Sequence, residues 1–192
     1  MRKFAVIIIS VAAIGVFSLS LGAFISKSAG GEITGLSTKG ERLCEQVEST
    51  GSIQFIVETD VETLIKLAAC DSPMVRRGAV YTLGERRSSI AVTALIQRLE
   101  DRDRHTRRIA ARALGKIGDA RATAPLIRSL EDKDEALAVR CNAAWALGMI
   151  ADPRAGRSLE AMTADSEKRL KSTCLKARKN HLTLMVGGAN RQ

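Results

Sequence analysis

Residues 103–132 read DRHTRRIAARALGKIGDARATAPLIRSLED, and this stretch carries the pattern that decides the fold. Thr106, Ile109, Ala110, Ala113, Leu114 and Ile117 recur at i, i+3, i+4, i+7, i+8 and i+11, which is one face of an α-helix. Gly118-Asp119 then breaks that helix, and Ala122, Leu126, Ile127 and Leu130 mark a second one. The stretch is a helix pair whose apolar faces need a neighbour to cover them.

That neighbour is more of the same. Leu-Gly pairs stand at Leu83-Gly84, Leu114-Gly115 and Leu147-Gly148, 31 and 33 residues apart. Seven residues before each lies an arginine (Arg76, Arg107, Arg140), and between them an alanine in register (Ala79, Ala110, Ala143). Twelve residues after each leucine comes another (Leu95, Leu126, Leu159), and each block closes on an aspartate (Asp101, Asp132, Asp165). Five registered columns over three blocks establish a repeat of stacked supersecondary units. Pro73, Pro125 and Pro153 sit at or near helix starts, where a missing N–H is tolerated.

The stretches SPMVRRGAVYTLGE, DRHTRRIAARALGKIGDARATAPLIRSLED and ALAVRCNAAWALGMIADPRAGRSLEAMTAD resemble the HEAT-like repeat of the phycobilisome-lyase type over residues 71–165. The resemblance implies an all-α fold, a right-handed α-solenoid of antiparallel helix pairs. It implies no single activity, because such repeats occur in scaffolds, chromophore lyases and iron hydroxylases. Outward from the clear units, residues 41–47 and 61–69 read as a degenerate first pair, and residues 168–179 as a capping helix. The solenoid is expected over residues 41–180, with residues 181–192 a tail.

Composition agrees with helices. Of 192 residues, 45 % are hydrophobic but only six are aromatic, so the core is built from Ala, Leu, Ile and Val. The net charge is +9, yet it is uneven. Residues 166–192 carry seven Lys or Arg against Glu167, whereas residues 41–165 sum to zero. A neutral solenoid excludes a basic nucleic-acid groove. The basic C-terminal helix is read as a solvated face, or as a surface for anionic lipid or an acidic partner.

The N-terminus reads as an address. Arg2 and Lys3 precede an uncharged run from Phe4 to Ile25, long enough to cross a bilayer and apolar all round. Residues 1–25 are a cleaved signal peptide or an uncleaved anchor, and residues 26–40, rich in Gly, Ser and Thr, a flexible linker. The folded part is therefore expected in the cell envelope on the extracytoplasmic side, as a monomer. In an oxidising compartment Cys44 and Cys70, one on each helix of the first pair, form the favoured disulfide. Cys141 and Cys174, taken as equivalent positions of adjacent helices, are a weaker pairing.

Candidate sites are few. The arginine column can bind an anion or pair internally; internal pairing with Asp71, Asp101 and Asp132, bridging neighbouring units, is the expectation. The repeat glycines allow close helix approach or termination. Hydroxylases of this repeat type hold iron with repeated His-Glu pairs; here His105-Thr106 stands at best, so that implication fails. His105 and His181 read as solvated, and neither a catalytic constellation nor a metal or cofactor site is expected. Second helices are expected to line a concave surface, with Gln97, Arg98, Arg121, Arg128 and Arg157 pointing outward to a protein partner. The leading expectation is a non-enzymatic scaffold. The alternatives are a protein acting on a tetrapyrrole or its carrier, and a membrane-surface adaptor using the basic C-terminal helix.

Overall fold

The computed structural model describes residues 59–164 and 167–189 together with Arg42, Cys44, Glu45 and Ile56. The chain divides into residues 1–33 and residues 34–192, and the first unit lies outside the described residues. The expected signal or anchor at residues 1–25 and the linker at residues 26–40 lie outside the described residues. Among the described residues no helix is long and apolar enough to cross a membrane.

The described part is helical: α1 (Val61–Leu67), α2 (Pro73–Glu85), α3 (Val92–Gln97), α4 (Arg104–Ile117), α5 (Thr123–Glu131), α6 (Leu137–Ile150), α7 (Gly156–Ala161) and α8 (Lys168–Ala189). Short 3-10 turns at Ser89–Ala91, Ala120–Ala122 and Pro153–Ala155 lead into α3, α5 and α7. The long helices α2, α4, α6 and α8 stack side by side, and α3, α5 and α7 pack against α4, α6 and α8. This is an all-helical solenoid-like repeat.

Starts and stops follow from the residues. Asp103 caps α4 by accepting from the His105 and Thr106 amides, and Asp60 caps α1 by accepting from Thr63 N. Pro73 opens α2 at a position that needs no amide hydrogen. Gly118 ends α4 in the left-handed region at φ 79°. The equivalent positions 31 residues earlier and 33 later, Arg87 and Ala151, adopt φ 50° and 57° without being glycine.

The repeat columns are the core. Leu83, Leu114 and Leu147, Ala79, Ala110 and Ala143, and Leu95, Leu126 and Leu159 are all fully buried. The glycine column sets the distance between long helices. A Cβ on Gly84 would lie 2.6 Å from Ala113 Cβ, one on Gly115 2.7 Å from Ala146 Cα, and one on Gly148 2.7 Å from Ala177 Cα. No side chain fits there, so the helices touch backbone to backbone.

That contact also fixes the register of α8. Ala177 meets Gly148 as Ala146 meets Gly115, an offset of 31 residues. Cys174 is therefore in register with Ala143, and the expected equivalence of Cys141 and Cys174 is off by two residues. All four cysteines are thiols, and the expected Cys44–Cys70 disulfide is not formed. Both half-buried side chains pack against the core as small apolar groups.

The expected tail is also corrected. No glycine or proline interrupts residues 180–186, and α8 continues to Ala189. His181, expected in solvent, is buried within it, and its Nε2 donates to the Asp152 carbonyl oxygen at 2.8 Å.

Candidate functional site

The arginine column turns inward. Arg76, only 3 % exposed, donates from Nε and Nη2 to the Asp101 carboxylate at 2.9 and 3.0 Å. Its Nη1 donates to the carbonyls of Cys70 and Asp71 at 2.9 and 2.7 Å. Every nitrogen is thereby used, and the side chain clamps one unit to the next.

Arg107 makes the same fork, but to Glu135 rather than the expected Asp132: Nε and Nη2 donate to its two oxygens at 2.7 and 2.8 Å. Nη1 donates to the Asp101 carbonyl at 2.7 Å. Glu135 holds the guanidinium above its ordinary pKa. The cause of the exchange is the longer connection into the third unit, DKDE at residues 132–135. Asp132 stays exposed and accepts from Asp134 N at 2.9 Å. Arg140 is also buried; its Nε donates to the Leu130 carbonyl at 3.0 Å, and Glu167 stands 3.9 Å from its Nη1.

A second ladder was not anticipated. Arg121 folds onto Asp119 and reaches from Nη2 to the Ser89 carbonyl of the preceding unit at 3.0 Å. Arg154 does likewise with Asp152 and the Ala120 carbonyl at 2.9 Å. The sequence signal is Asp-x-Arg at 119–121 and again at 152–154. Asp152 is buried and also accepts from Thr123 Oγ1 at 3.1 Å. Arg154 above all, with its own amide and Thr123, lowers the Asp152 pKa to about 2. Arg121, expected as a partner contact, is largely committed to this ladder.

Of the other expected partner contacts, Gln97, Arg128 and Arg157 are exposed, and Arg98 leans on Asp101 at 3.4 Å. Arg128 borders a cleft of about 360 Å³ between α3 and α5, with Ile96, Leu99, Pro125 and Ser129 on its walls. Glu100, Asp101, Asp132, Asp134 and Glu135 line it as well. With Asp101 and Glu135 taken by arginines, Glu100, Asp132 and Asp134 face the opening as a surplus of negative charge. A second cleft of about 260 Å³ shares Glu100 and Asp101 with the first and is bordered by Gln97, Arg98 and Arg102. Arg157 stands on α7 outside both.

The long-helix side has a different chemistry. Arg112 lies over the Trp145 ring and Lys116 over the Tyr81 ring, at 5.8 and 5.7 Å from the centroids. Lys116 also pairs with Glu85. His105 is exposed at the start of α4. Among the described residues no cluster of His, Cys, Asp and Glu is arranged to hold a metal ion.

A family model for HEAT repeats matches residues 61–138 and 94–177, together more than half of the chain. No curated protein matches it. Among solved structures the chain is similar to human deoxyhypusine hydroxylase in complex with glycerol, at TM-score 0.60 and 26 % identity, covering 66 % of this chain and 44 % of that one. It thus spans less than half of the hydroxylase. It is similar in fold to the CpcE–CpcF complex of phycocyanin lyase from Nostoc, at TM-score 0.59 and 19 % identity over 85 % of this chain and 70 % of that one. A designed armadillo repeat protein in complex with the peptide (KR)4 aligns at TM-score 0.53 and 17 % identity, covering 75 % of this chain and 86 % of that one. Catalytic proteins and a peptide binder both stand among these neighbours.

Proposed function

The chain belongs to the HEAT-repeat family, and from that footing we propose that it is a non-enzymatic scaffold that binds a protein partner on the face formed by α3, α5 and α7. The observation that carries this reading is the cleft between α3 and α5. Its walls combine Ile96, Leu99 and Pro125 with the exposed carboxylates of Glu100, Asp132 and Asp134. Such a site takes an extended segment with an apolar side chain between the helices and basic side chains beside it. Arg128 borders this cleft, Gln97 borders the neighbouring one, and Arg157 extends the contact along α7.

The scaffold is exported and held to the membrane by residues 4–25, or released after cleavage. What supports this is the length and hydropathy of that run behind Arg2 and Lys3. A reporter enzyme active only after export, fused after Gln192, reports activity if this is right. A reporter that works only in the cytoplasm rejects it.

The cleft is tested with a fluorescent (KR)4 peptide as probe. Saturable, salt-sensitive binding is expected, and Asp132→Lys with Asp134→Lys abolishes it while leaving the helical spectrum unchanged. Binding that persists in that variant places the basic segment elsewhere.

A further inference from the structure

The far end of α8 has no place in the partner-binding reading. Leu170, Cys174, Ala177 and His181 form its buried stripe, spaced i, i+4, i+7 and i+11. Beyond His181 the helix leaves the solenoid: Leu182, Leu184, Met185 and Val186 are 52, 46, 37 and 65 % exposed. Leu184, Met185, Leu182 and Val186 span an arc of about 200° around the axis, and exposed Thr183 stands in the remainder of the turn. The same helix carries six Lys or Arg and no Asp or Glu. Lys176 and Lys179 are exposed just before the apolar turn, on the side of the helix that carries Thr183.

We propose that the end of α8 docks onto an anionic lipid surface, the apolar arc of Leu182, Leu184, Met185 and Val186 entering the interfacial layer and Lys176 and Lys179 sitting among the head groups. Three observations select this occupant. A broad apolar arc opposite exposed Lys176 and Lys179, on a helix without an acidic residue, is the division of surface of an interfacial helix on anionic lipid. The apolar side chains reach about 5–6 Å from the helix axis, within the depth to which interfacial helices bury their apolar side. A second copy of the chain would bring six cations against six, and so repel. Docking is peripheral, since no described helix is long and apolar enough to span a bilayer. The inference does not depend on the partner cleft or on residues 4–25.

The test uses the full chain carrying Trp145→Phe and Leu184→Trp, mixed with vesicles of phosphatidylcholine alone or with phosphatidylglycerol, each with brominated acyl chains. An anchor at residues 4–25 would hold the chain on both vesicle types, so retention is not the readout. Quenching of the fluorophore at position 184 is. Strong quenching is expected with phosphatidylglycerol, little with phosphatidylcholine, and reversal at high salt. Lys176→Glu with Lys179→Glu should weaken the response by at least about tenfold. Amide hydrogen exchange over residues 182–186 of the unsubstituted chain should slow with the anionic vesicles, which guards against a fold change in the variant. Equal quenching in both lipids, no quenching, or protection by polyglutamate but not by lipid overturns the proposal; the last assigns the surface to an acidic protein.

Discussion

Gly115 and Gly118 lie three residues apart and do unrelated work. Gly115 leaves room for Ala146 and the Trp145 ring, whereas nothing lies within 4 Å of a Cβ placed on Gly118, whose need is its φ of 79°. Gly115→Ala should therefore cost about 1–3 kcal/mol by overpacking in urea denaturation. Ala151 sits in the left-handed region at φ 57°, so Ala151→Gly should raise stability by about 0.5–1 kcal/mol in the same measurement. A loss at Ala151→Gly would mean that its methyl packs usefully. Asp152 offers a pH test. Its carboxyl pKa falls from 3.8 to about 2 in the folded chain, chiefly through Arg154. A depressed carboxylate stabilises above its unfolded pKa and loses that contribution as pH falls towards the folded value. Asp152→Asn should thus cost about 1–2 kcal/mol at neutral pH, and its stability should converge with that of the unsubstituted chain between roughly pH 4 and pH 2.

Between helices, the two arginine forks predict unequal and unexpected losses. Arg76→Ala leaves Asp101, nearly inaccessible, with only the longer 3.4 Å contact to Arg98, and should cost about 3 kcal/mol. Glu135→Ala removes the bidentate partner of Arg107 and should cost about 1–3 kcal/mol. Asp132→Ala, at the repeat aspartate itself, should stay within about 0.5 kcal/mol, because its carboxylate is exposed and touches no arginine of the column. Chemical denaturation of the three variants ranks them, and a large loss at Asp132 would mean that Arg107 shifts between the two carboxylates.

Taken whole, the solenoid is held by contacts between neighbouring units, each long helix covering the next. Leu114 lies in the middle of that stack, fully buried. Leu114→Ala should destabilise by about 2–5 kcal/mol through the cavity it opens. Since each unit depends on its neighbours to cover its apolar face, circular dichroism should still show a single transition, moved to lower urea. Two separated transitions would mean that the units on either side of α4 fold independently.

The repeat period, the apolar faces of α2 to α7 and the stop at Gly118 were all legible in the chain, because each depends on spacing within one helix pair. The glycine column was visible too, as a choice between close approach and termination, and stacking resolved it as close approach. The exchange of Asp132 for Glu135, the burial of His181, the register of Cys174 and the thiol state of Cys44 and Cys70 were not legible. Each depends on where a neighbouring helix stands to within a residue, and two added residues in one connection are enough to move a carboxylate past its arginine. The same holds for the candidate sites. Gln97 and Arg128 could be placed on exposed helix positions by periodicity. That carboxylates surround the cleft beside Arg128, and that the end of α8 projects clear of its neighbours, follows from packing across units, which no local pattern encodes.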